Sequence, residues 1–187
     1  MKLKVVVCLL AFLSFSAASA FAQDFSKIDI FAGYSYVREN PATSGVSGFN
    51  LHGGSASVAY NANHWLGAVA DFGGYHANNV LGTGIDGTVS TYLFGPRFSY
   101  RKYERVTPFA QTLFGLAHAS GSGFGTTSTN NAFAASFGGG VDLKITRSVS
   151  FRAGQVEYLL TRFPEITSSN RETQNNLRVS TGIVIHF

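Results

Sequence analysis

The chain has 187 residues, 45% hydrophobic and 14% aromatic but only 13% charged, about half the charged content of an average soluble domain and the reverse of a disordered composition. Its net charge of +4 is scattered, with no basic stripe and no nucleic-acid motif, so no nucleic-acid partner is expected. Seventeen Phe and eight Tyr against one Met and one Trp, with 21 Gly against four Pro, indicate one β-rich domain with many turns and close backbone approaches.

In chain order, the first element reads as an export signal. Met1-Lys2-Leu3-Lys4 supplies a short positive region, Val5 to Phe15 an apolar stretch, and Ser16 to Ala20 small residues. Ala18-Ser19-Ala20 and Ala20-Phe21-Ala22 both satisfy the small-x-small cleavage rule. Cleavage is expected before Gln23, making 1–22 the signal peptide and 23–187 the barrel domain. The apolar run falls short of the roughly 20 residues of a spanning helix, which argues against a retained anchor. Cys8, the single cysteine, leaves with this segment. The remaining 165 residues hold twelve basic and ten acidic side chains, a net +2. No disulfide framework, thiol nucleophile or cysteine-based metal site is then expected.

Beyond residue 23 no apolar run approaches helix-spanning length. Period-two alternation recurs instead in eight segments: 27–38, 49–60, 65–77, 88–100, 106–119, 132–144, 149–161 and 175–187. Four long polar links (39–48, 78–87, 120–131 and 162–174) alternate with three tight ones (61–64, 101–105 and 145–148). Together they predict an all-β fold, an eight-stranded antiparallel up-and-down transmembrane β-barrel. Both termini then share the short-link end, which in bacterial outer-membrane barrels faces the periplasm.

The apolar faces of these segments are read as lipid-facing. Ile28, Ile30, Ala32, Tyr34 and Tyr36 oppose Asp29, Gly33 and Ser35; Tyr92, Phe94, Phe98 and Tyr100 oppose Thr91, Gly95 and Arg97. Phe133, Ala135, Phe137, Val141 and Leu143 oppose Ser136, Gly138, Gly140 and Asp142, and Leu177, Val179, Ile183 and Ile185 oppose Arg178, Ser180, Gly182 and His186. A soluble lipocalin-like barrel would bury the apolar face and wet the polar one. The polar face here mixes Gly and Ser with isolated charges and has little Lys, which suits a lumen better than a solvated surface. Aromatic residues near segment ends (Tyr36, Tyr60, Trp65, Tyr100, Tyr103, Tyr158 and Phe163) suit interfacial girdles.

An eight-stranded lumen is just wide enough for side chains to fill, so charges inside must be paired. Heights counted along neighbouring segments match Asp71 with Arg97, Asp142 with Arg152, Glu157 with Arg178, and Asp29 with His186. Strict alternation puts Arg152 and Glu157 on opposite faces, which requires a bulge near Ala153-Gly154. The expected role of these pairs is a filled polar core; the alternative is a narrow pore for ions or small solutes.

The last eight residues, Ser180-Thr181-Gly182-Ile183-Val184-Ile185-His186-Phe187, read polar-x-Gly-x-x-apolar-x-aromatic. This pattern, with Ser180, Gly182, Ile185 and Phe187 as its marks, resembles the signal by which the β-barrel assembly machinery recognises outer-membrane proteins. Together with Phe31-Ala32-Gly33-Tyr34-Ser35-Tyr36, Phe94-Gly95-Pro96-Arg97 and Gly138-Gly139-Gly140, it makes the chain resemble the small OmpA-like outer-membrane β-barrel domain family. The resemblance implies an outer-membrane location, outer-membrane lipid and the assembly machinery as partners, and a monomer. Its role would be structural or surface-exposed, with an extracellular ligand available to loops 39–48, 78–87, 120–131 and 162–174. No cofactor, metal or enzyme activity is expected.

The enzyme alternative rests on His118-Ala119-Ser120, which faintly resembles the His-x-Ser pair of lipid A deacylases. A nucleophile needs an oriented base and that base an acid, yet no Asp or Glu lies between Glu104 and Asp142. His52, His64 and His76 lack metal-ligand spacing.

Overall fold

The computed structural model describes residues 25–40, 48–78, 86–123, 126–164 and 171–187; the expected signal peptide, with Cys8, lies outside them. Eight strands follow in order: β1 (Ile28–Glu39), β2 (Phe49–Asn61), β3 (Leu66–Ala77), β4 (Asp86–Ser99), β5 (Val106–Gly123), β6 (Thr126–Lys144), β7 (Val149–Pro164) and β8 (Arg171–His186). Each pairs antiparallel with its neighbour in sequence, and β8 returns to β1 through Asp29↔His186 to Arg38↔Leu177, closing the barrel. Ile28 and Phe187 lie at one end, here the terminal end.

The period of two decides which side faces out. Phe137 and Phe187 are 66% exposed, whereas Arg152 and Arg178 are 0% exposed. A soluble barrel has the opposite arrangement, so lipid is the solvent of the outer face. Tyr60, Trp65, Phe98, Tyr100 and Tyr103 cluster around the terminal end, where Trp65 stacks on Phe98 and Tyr100 meets Tyr103 edge-on. Tyr158 is exposed and Tyr36 half-buried; the Phe163 side chain lies outside the described ones. Asn63 fixes the β2–β3 link, its Oδ1 accepting hydrogen bonds from the Trp65 and Leu66 amides at 2.9 and 2.8 Å, a side-chain-closed turn.

Two sequence expectations need correction. The link expected at 120–131 is mostly strand: β5 runs to Gly123 and β6 starts at Thr126, with Ser120↔Thr129 and Gly121↔Ser128 in register. The link expected at 162–174 is likewise shortened, because β7 reaches Pro164 and β8 begins at Arg171. Beyond the membrane band neither face of a hairpin must be apolar, so Ser, Thr and Asn pair as strands without the alternation that signals one. The lumen is also less polar than expected. Away from the terminal end it is lined by Val37, Leu51, Tyr75, Val89, Ala117 and Leu159, all buried in one apolar cluster.

Two local irregularities follow from the sequence. β7 shifts register between Arg152 and Gln155, so Ala153-Gly154 form a bulge that turns both Arg152 and Glu157 inward. Pro96 pairs with Ala68 of β3, while the β4–β5 pairing passes from Phe94↔Phe114 to Arg97↔Gln111 without partners for Gly95 and Pro96. A residue with no N–H is tolerated where the ladder is already interrupted.

Gly33 and Gly182 face each other across β1 and β8. A Cβ on Gly182 would lie 2.3 Å from the Ala32 carbonyl oxygen, and one on Gly33 2.1 Å from that of Thr181. This seam has no room for a side chain. Gly182→Val is therefore expected to destabilise the barrel by about 1–3 kcal/mol. Urea titration of the protein folded in detergent, read by the heat-dependent gel shift of the folded band, measures the loss.

Candidate functional site

The site is the charged part of the lumen, supplied by alternate residues of β3–β8 together with Asp29 of β1. Glu157 is its hub. Its Oε1 accepts from Gln111 Nε2 and Ser136 Oγ, each at 2.8 Å, and its Oε2 accepts from Gln155 Nε2 at 2.8 Å and Arg178 Nε at 2.7 Å. Arg178 reaches across the lumen from Glu157 to Asp71 Oδ1, 2.7 Å from its Nη1, and the same nitrogen donates to the Tyr75 hydroxyl at 3.0 Å. One guanidinium thus holds two carboxylates from strands that are not neighbours.

A second centre lies nearer the terminal end. Arg152 grips Asp142 with two parallel bonds of 2.7 and 3.0 Å and donates to Gln155 at 2.6 Å, which links it to Glu157. Such fork-to-carboxylate pairs are the strongest of the charge-assisted bonds. The Arg152 and Arg97 guanidiniums lie 4.4 and 4.5 Å from the Phe109 ring centroid, and Arg152 also covers Phe31 at 4.3 Å. Aromatic faces stabilise cations held out of water.

The expected pairing of Asp71 with Arg97 is not what the structure contains. Asp71 is bound by Arg178, and Arg97 donates its Nε–H to Gln111 at 2.8 Å. Its Nη2 is buried without a protein partner among the described residues. The reason is reach: matching heights on neighbouring strands overlooks contacts across the lumen. The structure brings the other residues together in the combinations Asp142 with Arg152, Glu157 with Arg178, and Asp29 with His186. Sequence reasoning missed Gln111, Gln155, Ser136 and Tyr75, uncharged inward residues whose only signal was their phase in the alternation.

The terminal mouth is closed around Asp29. It accepts from Ser26, from Asn61 Nδ2 at 2.7 Å, from His186 Nδ1 at 2.7 Å and from Arg101 Nη2 at 3.2 Å. His186 Nε2 lies 2.7 Å from Ser150 Oγ. Ser150, His186 and Asp29 stand in the order nucleophile, base and acid, but Ser150 is only 3% exposed and Asp29 is shared among three other donors. The backbone continues this array, with the Phe187 carbonyl accepting from the amides of Lys27 and Ile28.

The four C-terminal residues expected to mark an assembly signal are distributed over both faces. Ser180 is buried, 2.7 Å from Ser35 Oγ, which is 2.6 Å from Ser55 Oγ. Gly182 sits in the seam described above, and Ile185 and Phe187 face outward. His118 meets the amide of Asn131 at 2.7 Å, and among the described side chains no carboxylate is seen bonded to it to serve His118-Ala119-Ser120 as an acid. His52 and His76 are paired across β2 and β3 on the outer face, bound to Tyr34, Thr88 and Asn78.

A closed eight-stranded barrel with an apolar exterior, aromatic girdle and ion-paired lumen defines a class, the small outer-membrane barrels. Residues 8–187 match the outer membrane protein beta-barrel domain family, and the chain belongs to that family, located in the bacterial outer membrane. No curated protein sequence matches it significantly. Its fold is similar to that of Neisserial surface protein A, at 14% identity over 88% of this chain and 100% of that one, with a TM-score of 0.68. It is also similar to the attachment invasion locus protein Ail of Yersinia pestis (18% identity, 87% and 99% covered, TM-score 0.61) and to the N-terminal barrel of Pseudomonas aeruginosa OprF (12%, 88% and 100%, 0.55). The terminal end, by the rule for such barrels, faces the periplasm.

The network assigns unequal weight to its arginines. Arg97→Met removes a guanidinium with no ion-pair partner and is expected to change stability by no more than about 1 kcal/mol. Arg152→Met leaves Asp142 and Gln155 without their donor and should cost about 3–5 kcal/mol. Urea unfolding of both variants in lipid vesicles checks the ordering.

Proposed function

We propose that this protein is a non-catalytic structural or surface-interaction barrel whose lumen is held shut by paired charges. The observation that carries the reading is Arg178, wholly buried and bound at once to Glu157 and Asp71 on opposite sides of the lumen. Tyr75, Phe31, Leu51, Leu93 and Leu113, also fully buried, fill the bore above and below it. Outer-membrane lipid and, during biogenesis, the β-barrel assembly machinery are its proposed partners, the latter through the Ser180-to-Phe187 pattern. It acts as a monomer after cleavage of residues 1–22. Interaction with extracellular molecules is assigned to the far end, where the β5–β6 hairpin carries Ser, Thr and Asn beyond the membrane band. Ail of Yersinia pestis, a similar barrel, is described in complex with the heparin analogue sucrose octasulfate, which supports a search for ligands at this end.

A narrow pore is the second reading. Among the described residues Arg97 Nη2, Ser57 Oγ and Thr91 Oγ1 are buried polar atoms without protein partners, the kind of group that water satisfies. Planar-bilayer recording separates the two. A shut lumen predicts no discrete conductance for the wild type and openings in Arg178→Ala, which removes the bridge. Stable unitary conductance in the wild type would establish the pore instead.

A further inference from the structure

The outer face of β1–β4 carries an open groove of about 430 Å³ that the barrel's own packing does not require. Gly54 and Gly74, directly opposed on β2 and β3, form its floor, with Ala32 and Ala56 below and Phe72 and Tyr92 as a wall. Gly154 has open space at its Cβ position too but sits in the β7 bulge, whereas glycines such as Gly53 and Gly115 are forced by close approach: a Cβ on Gly53 would lie 1.9 Å from the Gly74 carbonyl oxygen, and one on Gly115 1.9 Å from that of Tyr92. At Gly74 an added Cβ meets nothing within 4 Å, and at Gly54 only the Gly33 carbonyl oxygen at 3.4 Å. A strand glycine weakens the strand and often marks a bulge, a bend or the close approach of another backbone or a ligand; Gly54 and Gly74 pair in regular register, with no bulge between them.

The groove ends at a row of hydrogen-bonding side chains. One outward step toward the extracellular end, the same four strands present Tyr36, His52, His76 and Thr88 in register, and the next row begins with Arg38 and Asn50. Tyr34 and His52 are joined at 2.6 Å, and Tyr36 and Arg38 both donate to Asn50 Oδ1, at 2.8 and 2.7 Å. Among the described residues the charged groups on the outer face of β1–β4 are Arg38, on β1, and Asp86, three strands away on β4. Beside β1 and β2 the surface therefore passes over two rows of residues from apolar groove to a hydrogen-bonding rim that carries the Arg38 guanidinium.

We propose that this groove seats an acyl chain of an anionic, phosphate-bearing lipid of the outer leaflet, with its phosphate at Arg38 and His52. An amphiphile matches the order of the two surfaces along the membrane normal, and its negative charge matches the rim. A second barrel does not. A two-fold contact would place the same patch on both sides, bringing the Arg38 guanidinium of one barrel toward that of the other. The site rests on the outer face alone and is independent of whether the lumen conducts.

The test titrates protein folded in neutral detergent micelles with bis-phosphorylated lipid A and, separately, with net-neutral phosphatidylcholine, counting retained lipid by native mass spectrometry. The wild type is expected to hold one lipid A at roughly fivefold to tenfold lower lipid concentration than phosphatidylcholine. Gly54→Leu/Gly74→Leu, which fills the groove, should lose that retained lipid while keeping the heat-dependent gel shift of a folded barrel. Arg38→Gln/His52→Gln keeps the groove and should bring the ratio between the two lipids close to one. Should the leucine variant not fold, Gly54→Ala/Gly74→Ala carries the test, with a loss of about threefold expected from two methyl groups placed in the lipid's space. Equal retention of both lipids by the wild type, or undiminished lipid A on a folded, filled variant, overturns the proposal. So does a wild-type dimer that the filled variant lacks, which would give the groove to a second barrel.

Discussion

A guanidinium held away from water at the centre of a narrow barrel tolerates very few arrangements, and the rest of this structure follows from satisfying it. Arg178 is wholly buried, and an uncompensated charge there would cost several kcal/mol, a large share of a typical domain's net stability. Glu157 and Asp71 supply the compensation. Placing Glu157 at that height, inward and beside Gln155 and Arg152, requires the bulge at Ala153-Gly154, because a regular strand would turn one of the two charges into lipid. The Gly33–Gly182 seam then lets β1 and β8 close tightly around Phe31, on whose ring Arg152 rests. Within the charged lumen and its terminal mouth the four carboxylates Asp29, Asp71, Asp142 and Glu157 face the four guanidiniums of Arg97, Arg101, Arg152 and Arg178. Glu39, buried at the other end of β1, lies outside this set.

Charge and apolar packing divide the lumen along its length. Toward the periplasm it is a hydrogen-bonded network that ends in the Asp29 plug; toward the outside it is an apolar cluster around Val37, Leu51, Tyr75 and Leu159. Tyr75 joins the two, its ring in the cluster and its hydroxyl on Arg178. An apolar segment on one side of the network keeps water away from it and strengthens every bond in it. This arrangement favours a plug over a channel, and it leaves the outer face and the extracellular hairpins as the surfaces available to other molecules.

Much of this was legible before any coordinates. The inverted alternation of Ile30, Tyr34, Phe137 and Ile185 against Ser35, Arg178 and His186 is a direct imprint of lipid outside, and the bulge in β7 follows from two charges that cannot share a face otherwise. Height matching reaches partners on neighbouring strands, such as Asp142 and Arg152, because adjacent strands share a ladder. It cannot reach Arg178 and Asp71, which meet across the bore from β8 and β3, and so it assigned Asp71 to Arg97. The extramembrane parts of β5, β6, β7 and β8 were invisible for a different reason. Thr126 to Asn131 pair in register with β5 while the sequence there shows no apolar side to mark the period. Val37 and Leu51 were hidden in the same way: an apolar residue facing inward carries the same sequence signal as one facing lipid.

The most direct measurement is a double-mutant cycle on the central bridge, Arg178→Met and Glu157→Leu singly and together, by reversible urea unfolding in phosphatidylcholine vesicles. Arg178→Met leaves both Glu157 and Asp71 without their guanidinium, whereas Glu157→Leu leaves Arg178 with Asp71 alone, so the pair removed together should be less destabilising than the two losses summed, by about 2 kcal/mol or more. Additive losses, or singles that cost nothing, would mean that the lumen is wet enough to solvate these charges separately, contradicting a barrel held shut by its ion pairs.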